Sequence, residues 1–176
     1  MIDLKALAHS CGFYTAADMD PKTLKFMSDV RSMCAADRCR SYGKSWSCPP
    51  ACGELEYWEE KASHYSKGLI LQTVGDREDS YDFEAMMEVS EENKRQFLAF
   101  TDALKKEGLD FLAMSAGACT ICPQCTYPDA PCRFPERQSA AMEAMGMLVS
   151  EVCQRNNIPY YYGPGTLTYV GCVLVE

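Results

Sequence analysis

Cysteine is the residue type in this sequence that is best suited to chemistry, and most of its copies fall into two groups. The chain has 11 cysteines among 176 residues. The first cysteine group lies in the stretch CAADRCRSYGKSWSCPPAC and consists of Cys34, Cys39, Cys48 and Cys52. The second cysteine group lies in CTICPQCTYPDAPC and consists of Cys119, Cys122, Cys125 and Cys132. Because thiolates are preferred ligands of zinc and of iron–sulfur clusters, both groups are predicted to bind metal.

The spacing of the second cysteine group, C-x2-C-x2-C-x6-C, favours an iron–sulfur cluster. Bacterial ferredoxins use C-x2-C-x2-C to bind three irons of one [4Fe-4S] cluster, and their next cysteine serves another cluster. Cys132 follows only after six residues, so it can complete the same cluster. Pro123, Pro128 and Pro131 stiffen the loop, which lowers the entropy lost on binding. Arg133 could offset the negative charge of such a cluster or could be an ordinary surface residue.

Zinc is the main alternative at both groups. A zinc ribbon separates its two C-x2-C pairs by about 15 to 20 residues, whereas the second group shares Cys122 between its two steps. Redox-active or merely packed thiols are a further alternative there. The first group, C-x4-C-x8-C-x3-C, matches no common zinc finger, and with two histidines the chain offers no paired-histidine zinc module. Its spacing leaves iron–sulfur, zinc and no metal open.

The overall composition limits the compartment and the partners. An odd number of cysteines and the lack of a basic, apolar leader argue against a disulfide framework, so we expect a cytoplasmic protein. The formal net charge of −8 disfavours surfaces for nucleic acid or anionic membranes. No apolar run approaches the roughly 20 residues that cross a bilayer. We therefore expect neither a nucleic-acid partner nor a membrane partner.

The segments between and after the cysteine groups predict an α/β (α+β) fold, a small mixed sheet with packed helices. Residues 1–176 are predicted to form one domain, with an irregular cysteine-rich segment at 1–52 and an α/β core at 53–176. Helical periodicity in GELEYWEEKASHYSKG predicts a helix, LILQTV a strand, and the segment up to Gly108 a long helix. The apolar strand LDFLAMSAG follows, so this order predicts a parallel crossover that leads into the cysteine-rich loop 117–134.

Two further elements are predicted near the end of the chain. Pro135 is expected to open a helix, and the residues of its buried face are Ala141, Met145, Leu148 and Val152. The segments IPYYY and TLTYVGCVLVE are expected to form a hairpin around the turn Gly163-Pro164-Gly165. The remaining cysteines at 153 and 172 are most simply small buried residues.

The two cysteine motifs together resemble a known family. CAADRCRSYGKSWSCPPACG, followed by CTICPQCTYPDAPCRFPERQSAAMEAMG, is similar to small cysteine-rich predicted metal-binding proteins of unknown function from anaerobic bacteria and archaea. The resemblance covers most of the chain and implies metal binding without a defined reaction. It carries over Cys34, Cys39 and Cys48 of the first motif and all four cysteines of the second. The fourth position of the first site could then belong to Cys52, to Cys11 or to a non-protein ligand.

No second catalytic constellation accompanies the cysteines. The common phosphate-binding, dinucleotide-binding, nucleophile-elbow and H-E-x-x-H zinc motifs are all missing. We therefore expect an electron carrier or metal-binding accessory protein rather than an enzyme, with one or two [4Fe-4S] clusters that exchange electrons with a redox protein partner. A zinc-stapled interaction module and a redox enzyme with an open coordination site are the alternatives.

Overall fold

A four-stranded sheet organises the chain. The computed structural model describes residues 2–176. The strands, in the spatial order β1-β2-β4-β3, are β1 (Thr15–Met19), β2 (Lys67–Asp76), β3 (Phe111–Met114) and β4 (Thr166–Val175). The helices are α1 (Leu4–Ser10), α2 (Ser28–Ser32), α3 (Leu55–Ser63), α4 (Phe83–Lys106) and α5 (Val149–Arg155). Short 3₁₀ turns span Pro21–Thr23, Met33–Ala36 and Glu143–Met145. The predicted α+β class is confirmed.

The two long central strands are buried on both faces. Successive residues of a strand point to opposite sides, so Ile70 of β2 contributes to one apolar cluster and Leu69 and Leu71 to the other. β4 alternates in the same way, with Cys172 on one side and Val173 on the other. This double burial explains why both strands are continuous apolar runs in the sequence.

The long helix α4 confirms the predicted helical period. Asp82 caps its N-terminus by accepting a hydrogen bond from the backbone N–H of Ala85 at 3.1 Å. Phe97, Phe100 and Leu104 are buried against the sheet. The opposite face of α4 is polar, and no helix in residues 2–176 combines the length and the apolar character that a membrane crossing demands.

The predicted crossover from β2 through α4 to β3 connects strands that point in the same direction but are not neighbours. β4 lies between them and pairs antiparallel with each, so every neighbouring pair of this sheet within residues 2–176 is antiparallel. The sheet was predicted to be mixed, but its only parallel strands are ones that are not neighbours, such as β2 and β3. The cysteine-rich loop begins where β3 ends, as predicted.

The predicted hairpin near the end of the chain is wrong, because its first strand does not form. Both edges of β4 are occupied, one by β2 and the other by β3, which leaves no ladder for a further strand. The segment before β4 is held by side chains instead. Gln72, fully buried on β2, donates from Nε2 to the carbonyl oxygen of Pro159 at 2.8 Å and accepts from the Tyr162 hydroxyl at 2.6 Å.

The helix predicted after Pro135 is also wrong as a continuous element. The structure has the 3₁₀ turn at Glu143–Met145 and then the separate helix α5. Gly146 adopts φ +78 and ends the turn, since a left-handed residue cannot continue a right-handed helix. Leu148, predicted to be on the buried face, is 46% exposed, whereas Ala141, Met145 and Val152 are buried.

The first 52 residues were predicted to be irregular, but they contain more regular secondary structure than that. Helix α1 lies there, and β1 forms the edge of the sheet through its antiparallel pairing with β2. The strand is short, and its sequence TAADM has no alternating apolar pattern, which is why periodicity did not reveal it. The rest of the segment, up to Cys52, has only helical turns and loops.

The thiols of Cys153 and Cys172 are expected to resist alkylation in the folded protein. Both residues are fully buried, as predicted. Burial raises the pKa of Cys153 to about 11, partly offset by the amide of Gln72, and burial raises the pKa of Cys172 as well. With a pKa near 11, about one thiol in a thousand is ionised at pH 8.

Mass spectrometry after iodoacetamide treatment at pH 8 measures this protection. We expect no label on Cys153 or Cys172 in the native protein, full label in urea, and native labelling of Cys153 that increases as the pH approaches 11. Cys11, which is only partly buried, serves as the accessible control. Rapid native labelling of Cys153 at pH 8 would contradict the expectation.

Candidate metal centre

The second cysteine group surrounds one pocket directly after β3. Its four cysteines all line the same pocket. Ser45, Trp46 and Ser47 from the other cysteine-rich segment close one side of it. Each of the four cysteines is partly buried. The fold therefore gathers at one place the thiols that the sequence spreads over fourteen residues.

The loop that carries these thiols is fastened at several points. Trp46 donates from its indole N–H to the carbonyl oxygen of Ala130 at 3.0 Å, and its ring meets that of Tyr127 edge-on at 4.9 Å. Arg133 donates to the carbonyl oxygen of Gln124 at 2.9 Å while it also lines the pocket. These contacts hold the loop around the pocket, so less order has to be gained when the thiols bind a metal.

Cys125 has the electrostatic environment of a metal-ligating thiolate. Burial alone would raise its pKa, but the backbone N–H groups of Tyr127 and Trp46, the hydroxyl of Ser45 and the backbone N–H of Thr126 together lower the pKa below the ordinary value. Donors placed around a sulfur favour its charged form. Since metals bind the thiolate and not the thiol, this position is prepared for a metal.

Cys119 has the opposite shift. Burial raises its pKa; the backbone N–H of Ile121 lowers it, and nearby Cys132, Cys122 and Cys125 raise it further. The other three thiols are thus within electrostatic range of Cys119. Four thiolates in so small a space need a compensating positive charge, which a bound metal supplies.

The first cysteine group is also gathered in one neighbourhood. Burial raises the pKa of Cys48 to about 11; the hydroxyl of Ser47 lowers it, and Cys39, Cys52 and Cys34 raise it. Cys48 and Cys52 are buried, Cys34 is partly buried and Cys39 is exposed. The group thus extends from the interior to the surface.

Cys52 has a cationic partner that sequence reasoning did not reveal. A guanidinium nitrogen of Arg31 on α2 donates to the sulfur of Cys52 at 3.2 Å. Burial raises the pKa of Cys52, and the charge of Arg31 acts against this rise. An arginine at this distance stabilises the thiolate, so Cys52 is chemically suited to bind metal. No residue pattern between positions 31 and 52 signals the contact, because it depends on how α2 packs beside the loop.

Neither group forms a compact single-ion site. Within residues 2–176, no three side chains of Cys, His, Asp or Glu come together as a group that could hold one metal ion. The eight cysteines are therefore gathered in two neighbourhoods, but neither set of side chains converges on a single metal position. Their assignment as ligands stays a prediction.

Ser47 joins the two neighbourhoods. Its buried hydroxyl accepts a hydrogen bond from the backbone N–H of Cys119 at 3.0 Å and lies 3.8 Å from the sulfur of Cys48. Ser45 and Ser47 also interact through their hydroxyl groups at 3.0 Å. One residue thus touches a cysteine of each group. Nothing in the sequence indicates that segments 72 residues apart meet here.

The fold and the two thiol neighbourhoods define a cysteine-rich protein of the α+β class. A family model described as "Predicted metal-binding protein (DUF2284)" matches residues 17–175. Because the match spans nearly the whole chain, the protein belongs to this family of predicted metal-binding proteins. Residues 1–16, which include α1 and Cys11, and Glu176 lie outside the match. Neither a curated protein nor a solved structure matches the chain.

Proposed function

We propose that this metal-binding protein is an iron–sulfur protein that transfers electrons to or from a redox partner. The second cysteine group would hold a [4Fe-4S] cluster through Cys119, Cys122, Cys125 and Cys132. The first group would hold a second cluster through Cys34, Cys39, Cys48 and Cys52. A cluster of this kind supplies reversible one-electron chemistry, and the chain sets how easily the electron is gained.

One observation carries this proposal: the four thiols of the second group, spaced C-x2-C-x2-C-x6-C along the loop, all line one pocket. A single zinc ion with sulfur ligands at 2.3 Å requires its four sulfurs to lie about 3.8 Å apart. In a cubane each thiolate binds a different iron, so the sulfurs surround a larger space. The ligand spacing along the loop, which matches the first three cluster ligands of bacterial ferredoxins and not a zinc ribbon, supports the larger cofactor over zinc.

The surroundings of the thiols fit the same cofactor. Backbone N–H groups of Trp46, Thr126 and Tyr127 face the sulfur of Cys125. Amide donors around cluster sulfurs stabilise the added negative charge after reduction, and partial burial excludes water from the centre. In this role Trp46 would both shield the pocket and present its backbone donor. The ring of Trp46 would then serve the pocket of the second group and not only the packing of the main core.

The charge and the exposed end of the first group support an electron-transfer role. The formal net charge of −8 favours a partner with a basic docking patch, because complementary charges steer association. Cys39 is exposed, so the first group would be the closer of the two to a docked partner. All 11 cysteines are free thiols, which suits a reducing cytoplasm.

Metal and sulfide analysis of protein purified without oxygen tests the proposal. We expect about eight irons and about eight acid-labile sulfides per chain, a visible absorption band that bleaches on reduction, and an EPR signal in the reduced state. Zinc analysis of the same sample is the control for metal exchange during expression. Two zincs per chain with neither sulfide nor colour would contradict the proposal and favour a zinc-stapled interaction module.

A further inference from the structure

A lysine from α4 lies beside both cysteine groups. Lys94 lines a pocket together with Cys119, next to the pocket of the second group. The charges within electrostatic range of Lys94 are Cys119, Glu91 and Cys48. Cys119 belongs to the second group and Cys48 to the first. The ammonium group is thus placed near one cysteine of each.

This lysine has no carboxylate partner of the ordinary kind. Its side chain is partly buried, and none of the ion pairs formed within residues 2–176 involves it. Its neighbour Arg95 is exposed and pairs with Glu92, the usual arrangement on a helix surface. Glu91, three residues earlier on the helix, is within electrostatic range of Lys94 but forms none of these ion pairs with it. A partly desolvated cation is unfavourable unless further negative charge lies nearby.

Besides Glu91, the groups within electrostatic range of Lys94 that can supply that charge belong to the two cysteine groups. They are adjacent to each other, since Ser47 contacts Cys119 by a hydrogen bond and approaches the sulfur of Cys48 at 3.8 Å. A cluster ligated by four thiolates has a net negative charge, which increases by one unit on reduction. A fixed cation between two such centres stabilises the reduced form of each.

We propose that Lys94 is the shared counter-charge of the two metal centres and raises the reduction potential of both. This inference rests on the proposed iron–sulfur function and names a residue that regulates it. Lys94 is a positioning charge and not a ligand, because a protonated amine has no lone pair for iron. The two centres would also be coupled directly, because an electron on one repels an electron added to the other.

Potentiometric titration with EPR detection tests this inference on the anaerobically purified protein. Lys94→Met removes the charge but keeps an unbranched apolar stem, and Lys94→Arg keeps the charge. Lys106→Met is the matched control, because Lys106 is an exposed lysine at the C-terminal end of the same helix. EPR reports only cluster-bearing molecules, so potentials are readable even if a variant assembles fewer clusters.

In Lys94→Met we expect both potentials to fall. At the wild-type midpoint the ratio of reduced to oxidised cluster should drop about tenfold at each centre. Lys94→Arg and Lys106→Met should match the wild type. Unchanged potentials in Lys94→Met, or a shift at one centre only, would overturn the shared role. Failure of the proposed function itself would be recognised separately, because the wild-type protein would then lack iron and sulfide.

Discussion

Replacement of Cys122 with alanine is expected to remove about half of the bound iron and sulfide, from about eight to about four atoms of each per chain. Alanine offers no ligand atom, and the C-x2-C-x2-C stretch binds three corners of one cluster, so loss of its middle thiolate leaves too few ligands. Cys48, which lies beside Ser47, is a buried member of the first group. Cys48→Ala is therefore expected to remove the other half of the iron and sulfide.

Cys11→Ala is the matched control for both substitutions. Cys11 ends helix α1 and packs beside the apolar cluster that contains Phe13 and Phe100. No other cysteine contributes to the pKa shift of its thiol, which burial raises. Iron content should therefore stay at the wild-type level. Loss of iron from Cys11→Ala would instead make Cys11 a ligand of the first group, and full iron content in Cys122→Ala would contradict the assignment of the second.

Gly146→Ala is expected to destabilise the protein more than any surface substitution. Gly146 has φ +78, and a Cβ there would lie 2.6 Å from both the backbone nitrogen and the backbone oxygen of Met27. Backbone atoms cannot rotate away as a side chain can. The substitution would also strain the hydrogen bond from Met27 N–H to the Gly146 carbonyl oxygen, 2.9 Å long. We expect a loss of about 3 to 5 kcal/mol of unfolding free energy.

Thermal unfolding followed by far-UV circular dichroism measures this loss. For a chain of this size, 1 kcal/mol corresponds to about 2 to 4 °C in Tm, so Gly146→Ala should unfold at least about 6 °C earlier than the wild type. Gly108→Ala is the control: it also has a positive φ, +71, but no atom lies within 4 Å of its added Cβ. It isolates backbone strain, about 1 to 2 kcal/mol. Equal shifts for the two variants would contradict a clash with Met27.

The consequence of Gly146→Ala should also reach the first cysteine group. Met27 leads directly into α2, which carries Arg31 and thereby the hydrogen bond to Cys52. Displacement of Met27 moves the start of that helix. The first group should then lose its iron before the second group does. The single-cysteine variants identify which iron belongs to which group.

Elements with a long and regular pattern were predictable from the sequence. α4 has a helical period, an acidic cap and a glycine after its end, and β2 is a continuous apolar run; both form as predicted. β1 was missed because it is a strand of only five residues at the edge of the sheet. Its backbone hydrogen bonds to β2 hold it in place, so it needs little apolar pattern of its own. The hairpin failed for a similar reason, since strand propensity says nothing about which edges of β4 are free.

The sequence by itself determined the chemistry of this protein: which thiols form two groups, how far apart each group's members lie, and that their number and spacing suit metal. That information is local, because ligand spacing along a loop depends on a few successive residues. Only the tertiary structure decided that the two groups are neighbours. Ser47 meets Cys119, Arg31 of α2 meets Cys52, and Lys94 of α4 lines a pocket with Cys119 and is within electrostatic range of Cys48. Contacts between such distant segments arise from packing and leave no pattern along the chain.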